Sequence, residues 1–284
     1  MRIVRDVPTL REAVAQARMA ARPVAFVPTM GALHEGHISL VRLARREGGL
    51  TVASIFVNPL QFAPGEDLAR YPRREKEDAA LLEREGADVL YLPTEASLYP
   101  PDFSTIVDVA GVTEGGEGAI RPGHFRGVAT VVLKLFLRVL PDVAVFGRKD
   151  LQQAAVVRRM IRDLDLPIRL VVGEIVRETD GLAMSSRNAY LSPEERRRAP
   201  DLARSLMAAR ARAIRGARDA RRLEEDTLRQ LESARFQIDY VEAVDSLTMR
   251  RSTEVRPGVC LAAAVRLGGT RLIDNVYLLD PPKA

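Results

Sequence analysis

Cysteine, lysine, histidine and aromatic side chains are all scarce in this chain of 284 residues. The single cysteine, Cys260, excludes an internal disulfide and a cysteine-based zinc site. Its apolar neighbours in the stretch VCLAAAV predict a small buried core residue rather than a nucleophile. Only four of the 43 basic residues are lysines. This preference for arginine lessens the value of the isoelectric point, about 9.6, as a sign of nucleic-acid binding.

Long apolar runs are also missing, which excludes a membrane-spanning helix. The best candidate, residues 128–140, is interrupted by Lys134 and Arg138. A hydrophobic content of 46% with 29% charged residues is typical of a globular protein. The first residues, MRIVRDVPTL, do not follow the basic-then-apolar order of a signal peptide. We therefore expect a cytoplasmic protein with no membrane partner.

Short apolar runs alternate with helical patterns through the first half of the chain. The predicted strands are residues 24–27, 51–57, 88–92, 142–146 and 168–172, and the predicted helices are residues 36–48, 73–86, 127–140 and 151–164. Strands separated by helices of this length are typical of βαβ units. The pattern predicts an α/β fold, a Rossmann-like doubly wound parallel sheet over residues 1–175. Ligands bind such sheets at the carboxyl ends of the strands.

The pattern changes in the remainder, residues 176–284. Two helical stretches, 193–214 and 219–233, precede three strands, 236–243, 259–266 and 270–278, which predicts a smaller α+β domain. The first helix is rich in arginine. Its spacing turns Leu202, Leu206 and Ala209 inward and the arginines outward, so a solvated basic face is favoured over an RNA-binding surface.

The motif PTMGALHEGH, residues 28–37, follows a predicted strand and opens a helix. Gly31 and Gly36 allow a tight turn, and the helix start offers N–H groups to a phosphate. His34 and His37 are three residues apart and can face one anion, where they would stabilise charge on a reacting phosphorus. A zinc half-site or a pair of core histidines is the alternative, but the chain has only three histidines.

Two further motifs carry amides and the last histidine. FVNPLQF, residues 56–62, ends the next strand, and the amides of Asn58 and Gln61 suit a substrate with hydroxyl and carboxylate groups. An ordinary polar loop is an equally good interpretation of this stretch. RPGHFRGV, residues 121–128, has the composition of a mobile loop leading into a helix. We expect either a lid over the substrate or a plain surface loop around His124.

Two more motifs offer groups for phosphate. GRKDLQQ, residues 147–153, again joins a strand to a helix, with Lys149 as a point charge and Gln153 one turn later. Asp150 can cap that helix or help to place a hydrated Mg²⁺. DGLAMSSRN, residues 180–188, supplies two hydroxyls and Arg187, which suit a triphosphate and could neutralise a departing pyrophosphate. Ordinary surface charges and a simple turn are the alternatives.

Taken together, the five motifs resemble those of the pantoate–β-alanine ligase (pantothenate synthetase) family, in the same order and spacing. The likeness extends over essentially the whole chain, to the closing segment IDNVYL. It implies a two-step reaction with Mg·ATP, in which pantoate becomes an acyl adenylate that β-alanine then attacks. It also implies a homodimer, and a second domain that closes over the active site.

The resemblance assigns roles to individual residues. It places ATP at Met30, Gly31, Ala32, Leu33, His34, Glu35, Gly36, His37, Gly147, Arg148, Lys149, Asp150, Val176, Met184, Ser185, Ser186 and Arg187. The substrate-binding candidates are Asn58, Gln61 and Gln153. The catalytic candidates are His34, His37 (the implied proton donor), Lys149, Ser186 and Arg187. No metal ligand is identified, although Asp78 and Asp150 are candidates for positioning the metal.

Two alternative functions account for some of the same features. A nucleotidyltransferase with the same H-x-G-H pattern would join a nucleotide to a phosphate-bearing acceptor, but this class does not account for FVNPLQF or GRKDLQQ. A basic RNA-binding protein is favoured by the arginine-rich helix, whereas the aromatic content of 5% and the lack of an RNA-binding motif count against it. We therefore expect small-molecule partners and no nucleic acid.

Overall fold

The computed structural model describes residues 1–282, which form two compact units. The first unit comprises residues 1–109, 121–148 and 156–174, and the second comprises residues 110–120, 149–155 and the chain from residue 175 onward. The predicted division between residues 175 and 176 therefore differs from these units in residues 110–120 and 149–155 and in residue 175. Residues 283 and 284 of the predicted second domain lie outside the described residues.

The strands form a parallel sheet in the first unit and an antiparallel sheet in the second. They are β1 (Arg2–Val4), β2 (Val24–Thr29), β3 (Leu50–Ile55), β4 (Val89–Tyr91), β5 (Val143–Gly147), β6 (Arg169–Gly173), β7 (Gln237–Asp245), β8 (Val259–Leu267) and β9 (Thr270–Tyr277). The parallel sheet has the order β1-β4-β3-β2-β5-β6, and the antiparallel sheet has the order β7-β8-β9. The predicted fold class is confirmed. The direction of winding changes between β2 and β5, which is where such sheets bind ligands.

The helices connect and cover these strands. They are α1 (Val7–Met19), α2 (Glu35–Arg46), α3 (Glu75–Arg84), α4 (Glu95–Leu98), α5 (Gly116–Ile120), α6 (His124–Val139), α7 (Leu151–Asp163), α8 (Pro193–Arg198), α9 (Pro200–Ile214) and α10 (Ala220–Ser233). No helix within residues 1–282 combines the length and the apolar character needed to cross a membrane.

Amphipathic patterns explain how the helices pack. In α2, Ile38, Val41 and Ala44 are buried, as their helical spacing predicts. In α9, Leu202 and Leu206 are buried in the core of the second unit. Several arginines of the basic stretch are paired with acids, as in the ion pairs of Arg204 with Asp201, Arg210 with Asp280 and Arg212 with Asp226. Cys260 is fully buried on β8, which confirms its predicted core role.

Two predictions about the helices need correction. The predicted helix 193–214 is divided into α8 and α9, because Pro200 has no N–H to continue the helical hydrogen bonds. Ala199, at the junction, still has helical backbone angles. At the start of the chain, β1 and α1 are elements that the sequence patterns did not predict. Asp6 caps α1 by accepting a hydrogen bond from the Thr9 N–H.

Two hydroxyl groups near the ends of β2 and β3 predict opposite effects on stability. The Ser54 hydroxyl is fully buried and has no hydrogen-bond partner within residues 1–282, whereas the Thr29 hydroxyl donates to the Ser54 carbonyl at 2.8 Å. We expect Ser54→Ala to raise the free energy of unfolding by roughly 1 kcal/mol, because it removes an unsatisfied polar group. Thr29→Val should lower it by a similar amount. Urea unfolding measures both, and equal destabilisation by the two variants would contradict the prediction.

Candidate active site

The turn after β2 carries the first motif and is held by a buried carboxylate. Gly31 and Ala32 have positive φ angles of 83° and 50°. The carboxylate of Asp78, only 3% exposed, accepts hydrogen bonds from the Ala32 and Leu33 N–H groups, each at 2.8 Å. A Cβ on Gly31 would lie 3.0 Å from Asp78 Oδ2, so the carboxylate fits against a glycine. Asp78 therefore fixes the path of the loop.

Burial explains the electrostatics of Asp78. Desolvation raises the pKa of this carboxyl, and the two backbone N–H donors oppose that rise. Both oxygens face the protein backbone, so the structure gives Asp78 a positioning role in place of the metal-positioning role considered from the sequence. Within residues 1–282, no three His, Cys, Asp or Glu side chains are grouped so that they could hold a metal ion.

The two histidines at the start of α2 each accept a backbone N–H through Nδ1, and their rings are tilted by 41° to each other. The Gly36 N–H donates to His34 Nδ1 at 3.1 Å, and the His34 N–H donates to His37 Nδ1 at 3.3 Å. Because a backbone N–H only donates, both Nδ1 atoms are acceptors, and each neutral ring carries its proton on Nε2. The ring centroids are 4.1 Å apart. The N-terminus of α2 thus bears two adjacent imidazoles whose Nε2 atoms are donors, an arrangement suited to phosphate oxygens.

The remaining residues of this motif differ in exposure. Gly31 and Ala32 are buried, and Met30 and Leu33 are partly buried. Glu35 is exposed and forms an ion pair with Arg42, which also binds Glu85. The Glu35 carboxylate therefore belongs to the outer side of α2, and its backbone forms the first residue of that helix.

The turn after β3 contains Asn58 and Gln61, which are 1% and 8% exposed. Asn58 Nδ2 donates to Gln61 Oε1 at 3.0 Å and to the Gly127 carbonyl at 3.1 Å. Gln61 Nε2 donates to Met30 Sδ at 3.1 Å, so this turn meets the turn that follows β2. The structure therefore brings the first and second motifs together, as the positions of their strands predict.

The structure places His124 in a helix rather than in the predicted loop, and a lid over the substrate stays a prediction. His124 is the first residue of α6. It follows Gly123, which has a φ of 83° and is the last residue of the preceding turn. His124 Nδ1 donates to the Gln61 carbonyl at 2.8 Å, and its Nε2 accepts from Arg121 Nη1 at 3.3 Å. Arg121 also binds Glu66, with Nε to Oε1 at 2.7 Å, and the ion pair is one cause of the lowered pKa of Glu66. His124 is therefore a fixed support for the Gln61 backbone.

The fourth motif is divided between the two units. In the first unit, β5 ends at Gly147, and Arg148 Nε donates to Glu174 at 3.0 Å. In the second unit, Lys149 is half-buried, and its ammonium forms no ion pair with any of residues 1–282. The Lys149 carbonyl accepts a hydrogen bond from Asn275 Nδ2 at 3.1 Å. The lysine therefore has a fixed backbone and an unneutralised charge.

Next to Lys149, three side chains show three different environments. Asp150 is exposed and Gln153 is partly buried. Gln152 is buried: its Oε1 accepts from the Glu117 N–H at 2.9 Å, and its Nε2 donates to the carbonyls of Val112 and Gly115. Gln152 thus anchors residues 112–117 to α7, which explains why residues 110–120 belong to the second unit.

The fifth motif lies in the second unit on a short braced hairpin. The Met184 N–H donates to the Val176 carbonyl at 3.0 Å, and Ser185 Oγ accepts from the Arg187 N–H at 3.2 Å. Arg196 binds Asp180 and Glu178, each at 2.5 Å, and hydrogen bonding to Arg196 is the largest cause of the lowered pKa of Asp180. The hairpin thus presents its partly buried residues Met184, Ser185, Ser186 and Arg187 on a rigid support.

The sequence did not reveal the structural roles of several residues that build the site. Asp78 and Leu82 lie on the same buried face of α3, and an acid at that position is the signal that could have indicated a structural carboxylate. Gln152 was overlooked beside Gln153, although both lie in the fourth motif. Asn275 lies within IDNVYL, but nothing in that segment shows its contact with Lys149.

The fold and the first-unit residues define the class of the protein. A parallel sheet that changes winding direction beside a glycine turn, a helix N-terminus and two imidazole donors is an α/β nucleotide-binding architecture. A family model for pantoate-beta-alanine ligase matches residues 2–277. The chain is 52% identical to the pantothenate synthetase of Rhizorhabdus wittichii, over 99% of this chain and 100% of that protein. The chain therefore belongs to the pantoate–β-alanine ligase family.

Solved structures agree with that assignment. The pantothenate synthetase of Thermus thermophilus superposes with a TM-score of 0.93 at 48% identity, covering 98% of this chain and 100% of that one. The pantoate-beta-alanine ligase of Francisella tularensis, complexed with "Beta-gamma ATP and Beta-alanine", gives a TM-score of 0.80 at 28% identity, covering 98% of each chain. The family resemblance of the five motifs is confirmed, and the ligase is favoured over the nucleotidyltransferase alternative.

Proposed function

We propose that the chain catalyses the ATP-dependent condensation of (R)-pantoate with β-alanine, giving pantothenate, AMP and pyrophosphate through pantoyl adenylate. The observation that carries the proposal is the histidine-lined turn after β2, in a chain whose family membership spans residues 2–277. His34 and His37 offer Nε2 donors at a helix N-terminus, where an ATP phosphate gains both hydrogen bonds and a favourable dipole.

In the first step, a pantoate carboxylate oxygen attacks the α-phosphorus, and the bond to the β-phosphate breaks as pyrophosphate leaves. The carboxylate is already ionised at neutral pH, so the step needs no general base. It needs alignment of the reactants and neutralisation of the phosphates. We assign the contacts with the phosphates to His34, His37 and Lys149, and those with the departing pyrophosphate to Ser186 and Arg187.

In the second step, the β-alanine amine attacks the acyl carbon, the bond from that carbon to the phosphate oxygen breaks, and AMP leaves. The amine releases a proton as the amide forms. His37, whose Nε2 faces the phosphate in our assignment, is the family-implied proton donor for the leaving AMP. Gln61 and Gln153 would bind the pantoyl group, which holds the reacting carbonyl in place.

We propose that Mg²⁺ binds together with ATP and is not held by a set of protein side chains alone. Mg²⁺ prefers substrate phosphates, waters and one or two carboxylates, which fits a site without a cluster of acids among residues 1–282. The exposed Asp150 is the carboxylate we retain as a candidate outer ligand.

The homodimer and the cytoplasmic location implied by the motifs also belong to the proposal, and light scattering tests the dimer.

A single assay tests the proposed reaction. With Mg·ATP, pantoate labelled with ¹⁸O in its carboxylate, and β-alanine, we expect stoichiometric AMP and pyrophosphate and one ¹⁸O atom in the AMP. The label arises because the carboxylate oxygen that attacks phosphorus stays with the phosphate when the amide forms. Sustained turnover should need both acids. Release of ADP, or of pyrophosphate without regard to pantoate, would contradict the proposal.

A further inference from the structure

A chain of hydrogen bonds runs behind Gln61 inside the first unit. The Tyr99 hydroxyl lies 2.8 Å from Asn58 Oδ1, and Asn58 Nδ2 lies 3.0 Å from Gln61 Oε1. At the far end, Gln61 Nε2 lies 3.1 Å from Met30 Sδ. Tyr99 follows α4 and belongs to none of the five motifs. Asn58 and Gln61 of the second motif are thus hydrogen-bonded, directly or through each other, to a tyrosine outside the motifs.

Backbone groups determine which atom donates in each hydrogen bond between Tyr99, Asn58 and Gln61. The Leu60 N–H donates to Asn58 Oδ1 at 3.3 Å, so this atom must be the amide oxygen. The Gly127 carbonyl accepts from Asn58 Nδ2 at 3.1 Å, so that atom must be the amide nitrogen. The Tyr99 hydroxyl is therefore a donor. Gln61 Oε1 is an acceptor, and Gln61 Nε2, which gives one N–H to Met30 Sδ, keeps its second N–H for a ligand.

We propose that Tyr99 and Asn58 are positioning residues that hold the Gln61 amide with Nε2, and its second N–H, toward the substrate. Gln61 then recognises an oxygen acceptor of pantoate and discriminates against a donor at that place. The inference rests on the function proposed above, which gives Gln61 its contact with pantoate. It also revises the role of Asn58: this side chain is 1% exposed and acts through Gln61 rather than on the substrate.

The surroundings of Tyr99 keep its hydroxyl in the donor state. Burial raises the pKa of Tyr99, so the phenol stays protonated at every pH at which the enzyme would be assayed. The ring packs against Phe56 and Phe103, with centroids 6.1 and 5.1 Å away. The Lys134 ammonium lies 5.8 Å from its centroid, within the range of a cation–π contact. A ring held on several sides gives the hydroxyl one position.

The test begins with Tyr99→Phe, which removes the hydroxyl and keeps the ring. Asn58 Oδ1 then loses one of its two donors, and we expect kcat/KM for pantoate to fall about fivefold to tenfold, mainly through KM. Tyr91→Phe is the matched control. Tyr91 is also buried, and its hydroxyl accepts from Arg138 Nη1 at 2.8 Å and makes no hydrogen bond to Asn58 or Gln61. The control should retain the wild-type KM.

A double-mutant cycle separates positioning from a general structural effect. Gln61→Ala alone should lower kcat/KM for pantoate roughly 10–100-fold. In that background, Tyr99→Phe should have no further effect, because the side chain through which it acts is gone. If the two losses multiply instead, or if Tyr99→Phe alone equals the wild type, the positioning role is wrong. If Gln61→Ala leaves kcat/KM unchanged, the contact with pantoate fails, and with it this part of the proposed function.

The donor character of Gln61 has its own test. Gln61→Glu has the same shape but replaces Nε2 with an oxygen, which would face an oxygen of pantoate. We expect a larger loss in kcat/KM than with Gln61→Ala, because two acceptors then oppose each other. A Gln61→Glu enzyme that binds pantoate as well as the wild type would refute recognition of an acceptor.

Discussion

Lys149→Ala is expected to slow pantoyl-adenylate formation by about two to three orders of magnitude while leaving the fold stable. Lys149 is half-buried and its ammonium has no acidic partner among residues 1–282, so its charge does not support an ion pair that folding needs. An unneutralised cation directly after β5 is suited to charge that appears only when ATP binds and reacts. The loss should therefore fall on the first step.

Single-turnover release of pyrophosphate with Mg·ATP and pantoate measures that step directly. Lys76→Ala supplies the control, because Lys76 is exposed on α3 and has no proposed part in the reaction. Urea unfolding should give Lys149→Ala a stability within about 0.5 kcal/mol of the wild type. Wild-type rates of pyrophosphate release from a folded Lys149→Ala enzyme would remove this residue from the mechanism.

Gly127→Ala is expected to lower kcat/KM for pantoate by roughly 100-fold or more and to destabilise the protein by about 2–4 kcal/mol. A Cβ at this position would lie 2.6 Å from the Gln61 backbone nitrogen and closer still to the Leu60 carbonyl. Both obstacles are backbone, so α6 and the turn after β3 must move apart. That movement breaks the bond from Asn58 to the Gly127 carbonyl and releases Gln61.

The direction of the stability change in Gly127→Ala distinguishes the close backbone contact from helix propensity. In an unobstructed helix, alanine is more favourable than glycine by roughly 1 kcal/mol, so helix propensity alone predicts stabilisation. Gly269→Ala is a suitable control, since a Cβ there meets no atom within 4 Å. Urea unfolding and pantoate kinetics of both variants decide the matter. A Gly127→Ala enzyme with wild-type KM and higher stability would show that the close approach is not needed.

The periodicity of the sequence was sufficient for the parallel sheet and for the edge where the motifs meet. His34, His37 and Gln61 follow strands, and a strand has only one carboxyl end at which such residues can gather. The supports behind them could not be predicted in this way. Asp78 reaches Ala32 across 46 residues, and Tyr99 reaches Asn58 across 41 residues. Contacts of that kind depend on how helices sit on the sheet, which local patterns do not contain.

The glycines of RPGHFRGV show how a composition can mislead. Two glycines around a histidine are typical of a mobile loop, which is the basis of the predicted lid. In the structure, Gly123 ends a turn with positive φ, and Gly127 lies inside α6 where another backbone passes close by. Each glycine is thus required by geometry, one for its dihedral angle and one for its missing side chain.

The contact at Gly127 also constrains how this enzyme can evolve. Any single-base change of a glycine codon that alters the residue introduces at least a Cβ, and a Cβ here meets the backbone of Leu60 and Gln61. Replacing those two residues would not relieve the obstruction, because their main-chain atoms would remain. Gly127 therefore cannot be replaced by a single substitution without moving the backbone. Another residue could be accepted here only after α6 and the turn after β3 had moved apart.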